Sequence, residues 1–89
     1  MTRLLHIIGP QGAGKSTLAH MIVRGAYGQA AHVDWEEARS LSNAQIRAHF
    51  AGLAVVCVES LCDDSRHLDL QHGDAVMRMH ATTEASHAG

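Results

Sequence analysis

The sequence predicts an α/β domain of about four parallel strands and about three helices, and three observations carry that expectation. Apolar runs of strand length recur along the chain: "RLLHIIG", "AAHVDW", "LAVVCVE" and "GDAVMRMHA". Segments with apolar residues at helical spacing lie between them. The two kinds alternate, and alternation of this sort packs as a parallel sheet with right-handed crossovers.

The elements follow in order. "RLLHIIG" is a compact Leu- and Ile-rich run that stops at Gly9, the pattern of a buried strand in a parallel sheet. "GKSTLAHMIVRGAYG", from Gly14, places Leu18, Met21 and Ile22 on one helical face, with Gly25 and Gly28 to end it. "AAHVDW" is a short second strand, unless Asp34 instead caps a helix that starts in Trp35-Glu36-Glu37-Ala38. In "SLSNAQIRAHFAG", Ser42 and Gln45 have capping-box spacing, Ile46 and Phe50 share a face, and Gly52 is a stop signal. Leu53 to Glu59 is β-branched and continuously apolar until its last residue, the strongest strand signal in the chain. "SLCDDSRHLDL" has room for a short helix, and Ala75, Val76, Met77 and Met79 are the apolar members of a last strand. Residues 1–81 are therefore expected to form one domain and residues 82–89, small and polar, a frayed tail.

Composition narrows the function classes. A chain of 89 residues makes one small domain, which buries somewhat over ~60% of its unfolded surface. With 46% hydrophobic and 18% charged residues it is globular, and with only 3% aromatics the core rests on Ala, Val, Ile, Leu and Met. A net charge of −2 argues against nucleic acid held by a general positive field. Cys57 and Cys62 make no disulfide framework, and Cys57 reads as a small buried hydrophobe. The eight histidines are scattered, with no zinc-type spacing to cysteines. No apolar run has signal-peptide or membrane-span length, so the expectation is a cytoplasmic protein with no membrane contact.

The chemistry concentrates in Gly9-Pro10-Gln11-Gly12-Ala13-Gly14-Lys15-Ser16, followed by Thr17, which fits the pattern G-x-x-x-x-G-K-[ST] at every fixed position. Glycines let successive backbone N–H groups turn inward around anionic oxygens. The loop ends where a helix begins, so the positive end of that helix faces the same oxygens. Lys15 is long enough to reach β- and γ-phosphates, and Ser16 offers a hydroxyl to Mg²⁺. Chance puts such a match at on the order of a few in a thousand for a chain this short. A strand directly before and an amphipathic helix directly after reinforce it.

These residues resemble the phosphate loops of the P-loop NTPase superfamily, and "GPQGAGKSTLA" is similar to those of its nucleoside- and nucleotide-kinase-like members. The short chain and the strand ending in Asp34-Trp35 are also similar to small phage-encoded P-loop proteins. The resemblance implies a minimal P-loop fold with the Glu59 strand beside the first strand, and a site for a nucleoside triphosphate and Mg²⁺. No guanine-reading Asn/Thr-Lys-x-Asp motif is present, which points to ATP. It also implies an acid at the tip of a second apolar strand. Glu59 fills that place, as a metal or water ligand, and its alternative is a solvent-facing strand end. Asp34 stands where relatives carry an acid for acceptor or metal, with helix capping as its alternative. Trp35 either packs the sheet edge or stacks on a base, and Arg66 is a candidate to swing toward phosphates or an ordinary surface residue. Kinase-like relatives are longer, with a lid and an acceptor insertion, so slow hydrolysis or completion by a protein partner or second copy is expected. Three readings stay open: an NTP-using enzyme with Lys15, Glu59 and Asp34 in its chemistry, a nucleotide-responsive binding module, and a structural P-loop domain.

Overall fold

The computed structural model describes residues 1–80. In chain order the elements are β1 (Arg3–Ile8), α1 (Lys15–Gly25), β2 (Ala30–Val33), α2 (Trp35–Ala38), α3 (Asn43–His49), β3 (Val55–Ser60), a 3₁₀ turn (Ser65–Leu68) and β4 (Ala75–Arg78). The strands form one sheet in the order β2-β3-β1-β4, and every neighbouring pair is parallel. This is the expected α/β architecture, with β3 beside β1 and Ile7 in register with Glu59. The expected tail, residues 82–89, lies outside the described residues.

The period-two alternation of the strands divides the core. Leu4, Val33, Val56 and Val58 face one way and pack with Ala38 and Ile46 from α2 and α3. Ile7 and Cys57 face the other way, onto Ala19 of α1, with Leu5, Leu18, Ile22 and Met79 around them. Burial also pushes the Cys57 thiol pKa up, as suits an inert core residue. The predicted face of α1 needs one correction. Met21 is 62% exposed, and fully buried Ala19 takes the central place because it lies one turn from Lys15 and three residues before Ile22.

Boundaries differ where side chains claim the backbone. β2 stops at Val33 because Asp34 turns into a cap, accepting from the Glu37 N–H at 2.9 Å to start α2. β3 begins at Val55 rather than Leu53, since the Leu53 carbonyl is taken by the Thr2 hydroxyl at 2.8 Å. The Ser42–Gln45 capping box forms as the sequence predicts. Met79 lies just past β4, where its N–H donates to the Ile8 carbonyl at 2.7 Å. Among the described residues no helix is long and apolar enough to cross a membrane.

Candidate functional site

The site forms at the carboxyl ends of β1 and β3, where an open parallel sheet presents its loops. β1 delivers the chain to Gly9, whose N–H donates to the Ser60 carbonyl at 3.0 Å, so the loop starts anchored to both strands. Gly9 must be glycine for space: a Cβ there would meet the Met79 carbonyl oxygen at 2.8 Å. The loop turns through an Ala13 N–H bond to the Pro10 carbonyl at 3.3 Å and enters α1 at Gly14, which takes φ 90°, a left-handed conformation that disfavours any side chain.

Gly14 brings no side chain to cap α1. The first-turn N–H groups of that helix therefore open toward the loop with the positive end of the helix dipole behind them. Lys15 is 6% exposed and folds back across the loop, donating through Nζ to the Gly9 carbonyl at 2.6 Å and the Pro10 carbonyl at 2.8 Å. An ammonium has three N–H donors, so a third remains for an anionic oxygen.

Ser16, on the first turn of α1, donates through Oγ to Glu59 Oε2 at 2.9 Å. The same carboxylate oxygen is in close contact with His32 Nε2 from β2. Glu59 is 5% exposed, so the solvent-facing alternative for this strand-end carboxylate does not hold. Asp34, Trp35 and Glu36, at the start of α2, stand opposite the loop. A cavity of about 460 Å³ lies between, lined by Gln11, Gly12, Gly14, Lys15, Ser16, Thr17, Asp34, Trp35, Glu36, Glu59 and Leu61.

The structure thus gathers Lys15, Ser16, Thr17, Asp34 and Glu59 around one cavity, while Gly9, Pro10 and Ala13 shape the loop behind its lining. Asp34 meets both of its alternatives, since it caps α2 and also lines the cavity. Arg66 does not reach the site: its guanidinium donates to the Ala38 and Leu41 carbonyls and ties the 3₁₀ turn to the α2–α3 connection. His32, Glu36 and Leu61 escaped the sequence reading. His32 carried no sequence signal of its own, because only the pairing of β2 with β3 brings it to that carboxylate. Among the described residues no group of three or more His, Cys, Asp and Glu is assembled.

A strand, a glycine-bent loop, a lysine folded over it and an uncapped helix define a P-loop nucleotide-binding domain. Comparison with known proteins agrees and is more specific. The family model described as ABC transporter matches residues 1–87, and the chain belongs to that family. Membership carries ATP binding through the P-loop, and it supports the superfamily without supporting the narrower kinase-like or phage-encoded resemblance. No curated protein and no solved structure matches the chain.

Proposed function

We propose that this domain binds ATP as its Mg²⁺ complex and hydrolyses it slowly. The Ser16–Glu59 hydrogen bond of 2.9 Å carries the reading, because it sets two oxygen donors side by side at the mouth of the phosphate loop. A hydroxyl and a carboxylate are hard donors of the kind Mg²⁺ takes, and Mg²⁺ commonly uses one or two protein oxygens together with substrate phosphates. When bound, the ion supplies charge neutralisation of the triphosphate. Lys15 gives its free N–H to a phosphate oxygen, the first-turn N–H groups of α1 hold the others, and Glu59 holds the cation or orients a water. Asp34 and Trp35 form the opposite wall, where an attacking water or the base would rest.

Slow turnover follows from the arginines. None lines the cavity, and three are committed elsewhere: Arg47 to Asp74, Arg66 to backbone carbonyls and Arg78 to Asp63. The arginine that accelerates phosphoryl transfer by orders of magnitude in related chemistry is therefore missing from the cavity lining among the described residues, which leaves Lys15 as its only cationic side chain. The same observation favours a second reading, in which a partner protein or a second copy supplies that charge or responds to the bound nucleotide.

Calorimetric titration of ATP with and without Mg²⁺, paired with single-turnover phosphate release, tests the proposal. Wild type should bind saturably and more tightly with Mg²⁺. Lys15→Ala should lose about 10- to 100-fold in affinity, the range of a lost charge-assisted hydrogen bond. A folded wild-type sample with no ATP affinity at millimolar concentration overturns the proposal. Mg²⁺-dependent binding without any phosphate release leaves the responsive-module reading.

A further inference from the structure

We infer that His32 is a positioning residue for Glu59: from β2 its Nε2 holds Oε2 of the carboxylate, so that the other oxygen is presented to the cation side of the cavity. This rests on the Mg²⁺–ATP reading above. His32 pairs in register with Cys57, and residues two apart on a strand share a face, so Glu59 lies one step further along the same face. The two side chains meet there at 16% and 7% exposure. On the other side, the His20 ring of α1 stands edge-on to the His32 ring, centroids 5.1 Å apart and planes at 85°. The imidazole is thus held between a helix and the carboxylate.

A carboxylate only accepts, so His32 contributes an Nε2–H donor. Glu59 Oε2 then receives two donors from two different elements, Ser16 on α1 and His32 on β2. Oε1 accepts no hydrogen bond among the described residues. Two donors on one oxygen fix the rotation of the carboxylate about its last bond. With Ser16 alone, Glu59 would be tethered only through the residue that itself serves the cation. Groups that orient a metal-binding side chain typically contribute 10- to 100-fold to metal affinity.

The test separates the cation term from the nucleotide term. ATP affinity is measured in Mg²⁺ and in EDTA for wild type, His32→Leu and His32→Gln. His32→Leu should shrink the Mg²⁺ enhancement about 10-fold and change the affinity in EDTA by less than about twofold. His32→Gln, which keeps an N–H donor at similar reach, should recover most of the enhancement. A His32→Leu variant that keeps the full enhancement, or loses affinity equally in both conditions, overturns the inference, and so does a His32→Gln variant no better than His32→Leu. These outcomes appear in the variants alone, whereas failure of the Mg²⁺–ATP reading appears in wild type. If His32→Leu does not fold, ¹⁵N-histidine NMR of the wild-type protein decides. A hydrogen-bonded Nε2–H signal of His32 that Glu59→Leu abolishes supports the role, and absence of that signal in wild type overturns it.

Discussion

Two buried carboxylates sit at opposite ends of the sheet, and they are bonded in opposite ways. Asp74, before the amino end of β4, has a fully buried side chain with both oxygens saturated. Oδ1 accepts from the Leu4 N–H at 2.9 Å and Arg47 Nη1 at 3.0 Å, while Oδ2 accepts from the Gln71 N–H at 2.9 Å and from Arg47 Nη2. Glu59, at the carboxyl end of β3, takes both of its donors on one oxygen and lines the cavity. A carboxylate whose hydrogen-bonding capacity is used up inside the fold holds elements together. One that keeps an oxygen toward a cavity is available to a ligand. Asp74 joins β1, α3 and the β4 approach, and Glu59 serves the loop.

Removing one charge from each end should break the symmetry between them. Asp74→Asn leaves the Arg47 guanidinium, 15% exposed, without its counter-charge. Breaking a buried pair in that way costs about 3–5 kcal/mol, enough to unfold much of a small domain at 37 °C, as circular dichroism melting would show. Glu59→Gln should leave the melting midpoint within a few degrees of wild type and abolish the Mg²⁺ enhancement of ATP binding. Equal thermal losses in the two variants would show that Glu59 is structural as well.

Acid sharpens the same comparison, because the buried groups with lowered pKa values, His6, His67 and Asp74, all lie outside the cavity lining. His6 of β1 is fully buried, and neither ring nitrogen has a hydrogen-bond partner among the described residues. Burial first, then the His67 ring 5.1 Å away and the charges of Arg66 and Arg47, push its pKa down to about 4 against the pull of Asp74. The unfolded chain takes up a proton near pH 6.5 and the folded chain only near 4, so stability is lost as pH falls through that interval. A shift of this size corresponds to about 3 kcal/mol. His67, also lowered by burial despite Asp64 and Asp63, adds to the loss with the same sign. Asp74 follows in the next window. Burial raises its pKa, but the Arg47 hydrogen bonds and the Gln71 and Leu4 N–H groups outweigh that and hold it at about 2, so its contribution goes as pH falls from 3.8 through 2. In melting curves, His6→Leu should flatten most of the slope between pH 6.5 and 4 and leave the step below 4. An unchanged slope would assign the upper window to other groups.

The phosphate loop was legible because each of its residue types answers a local demand at a fixed spacing. Glycines bend the backbone, Lys15 reaches back over it, and Ser16 opens the helix. The Ser42 capping box was legible for the same reason, since it depends on a short stretch of sequence, whereas the place of the Glu59 strand beside β1 followed from the resemblance to P-loop proteins. The bonds that hold the two carboxylates were not legible. Arg47 and Asp74 lie 27 residues apart, as do His32 and Glu59, and only the register of β2, β3 and β4 against their neighbours brings such pairs together. The burial of Ala19 instead of Met21 was hidden too, since helical spacing alone does not say which of two adjoining stripes meets the sheet. Arg66 looked available because its partners are backbone carbonyls, which leave no trace in a sequence.

The smallest expected effect isolates the two serines that begin helices. Ser42 caps α3 through its own side chain, accepting from the Gln45 N–H at 3.1 Å, while Gln45 returns a bond to the Ser42 N–H at 2.8 Å. At α1 no side chain takes that part, and the Ser16 hydroxyl points away to Glu59. Ser42→Ala should therefore lower stability by about 1 kcal/mol, roughly 4–8 °C in melting for a domain of this size, with ATP affinity unchanged. Ser16→Ala should do the reverse, with melting in the absence of ligand nearly unmoved and the Mg²⁺ enhancement of ATP binding lost. The contrast has a physical origin in what completes each helix: α3 has N–H partners within its own sequence, and the first turn of α1, without a side-chain cap, is left for the proposed phosphate. Measured with ATP and Mg²⁺ present, the α1 end should then gain stability that the α3 end does not, about 2.7 kcal/mol at a hundredfold excess over Kd. If Ser16→Ala instead melted early without ligand and bound Mg²⁺–ATP normally, α1 would be a self-sufficient helix and the loop merely a turn.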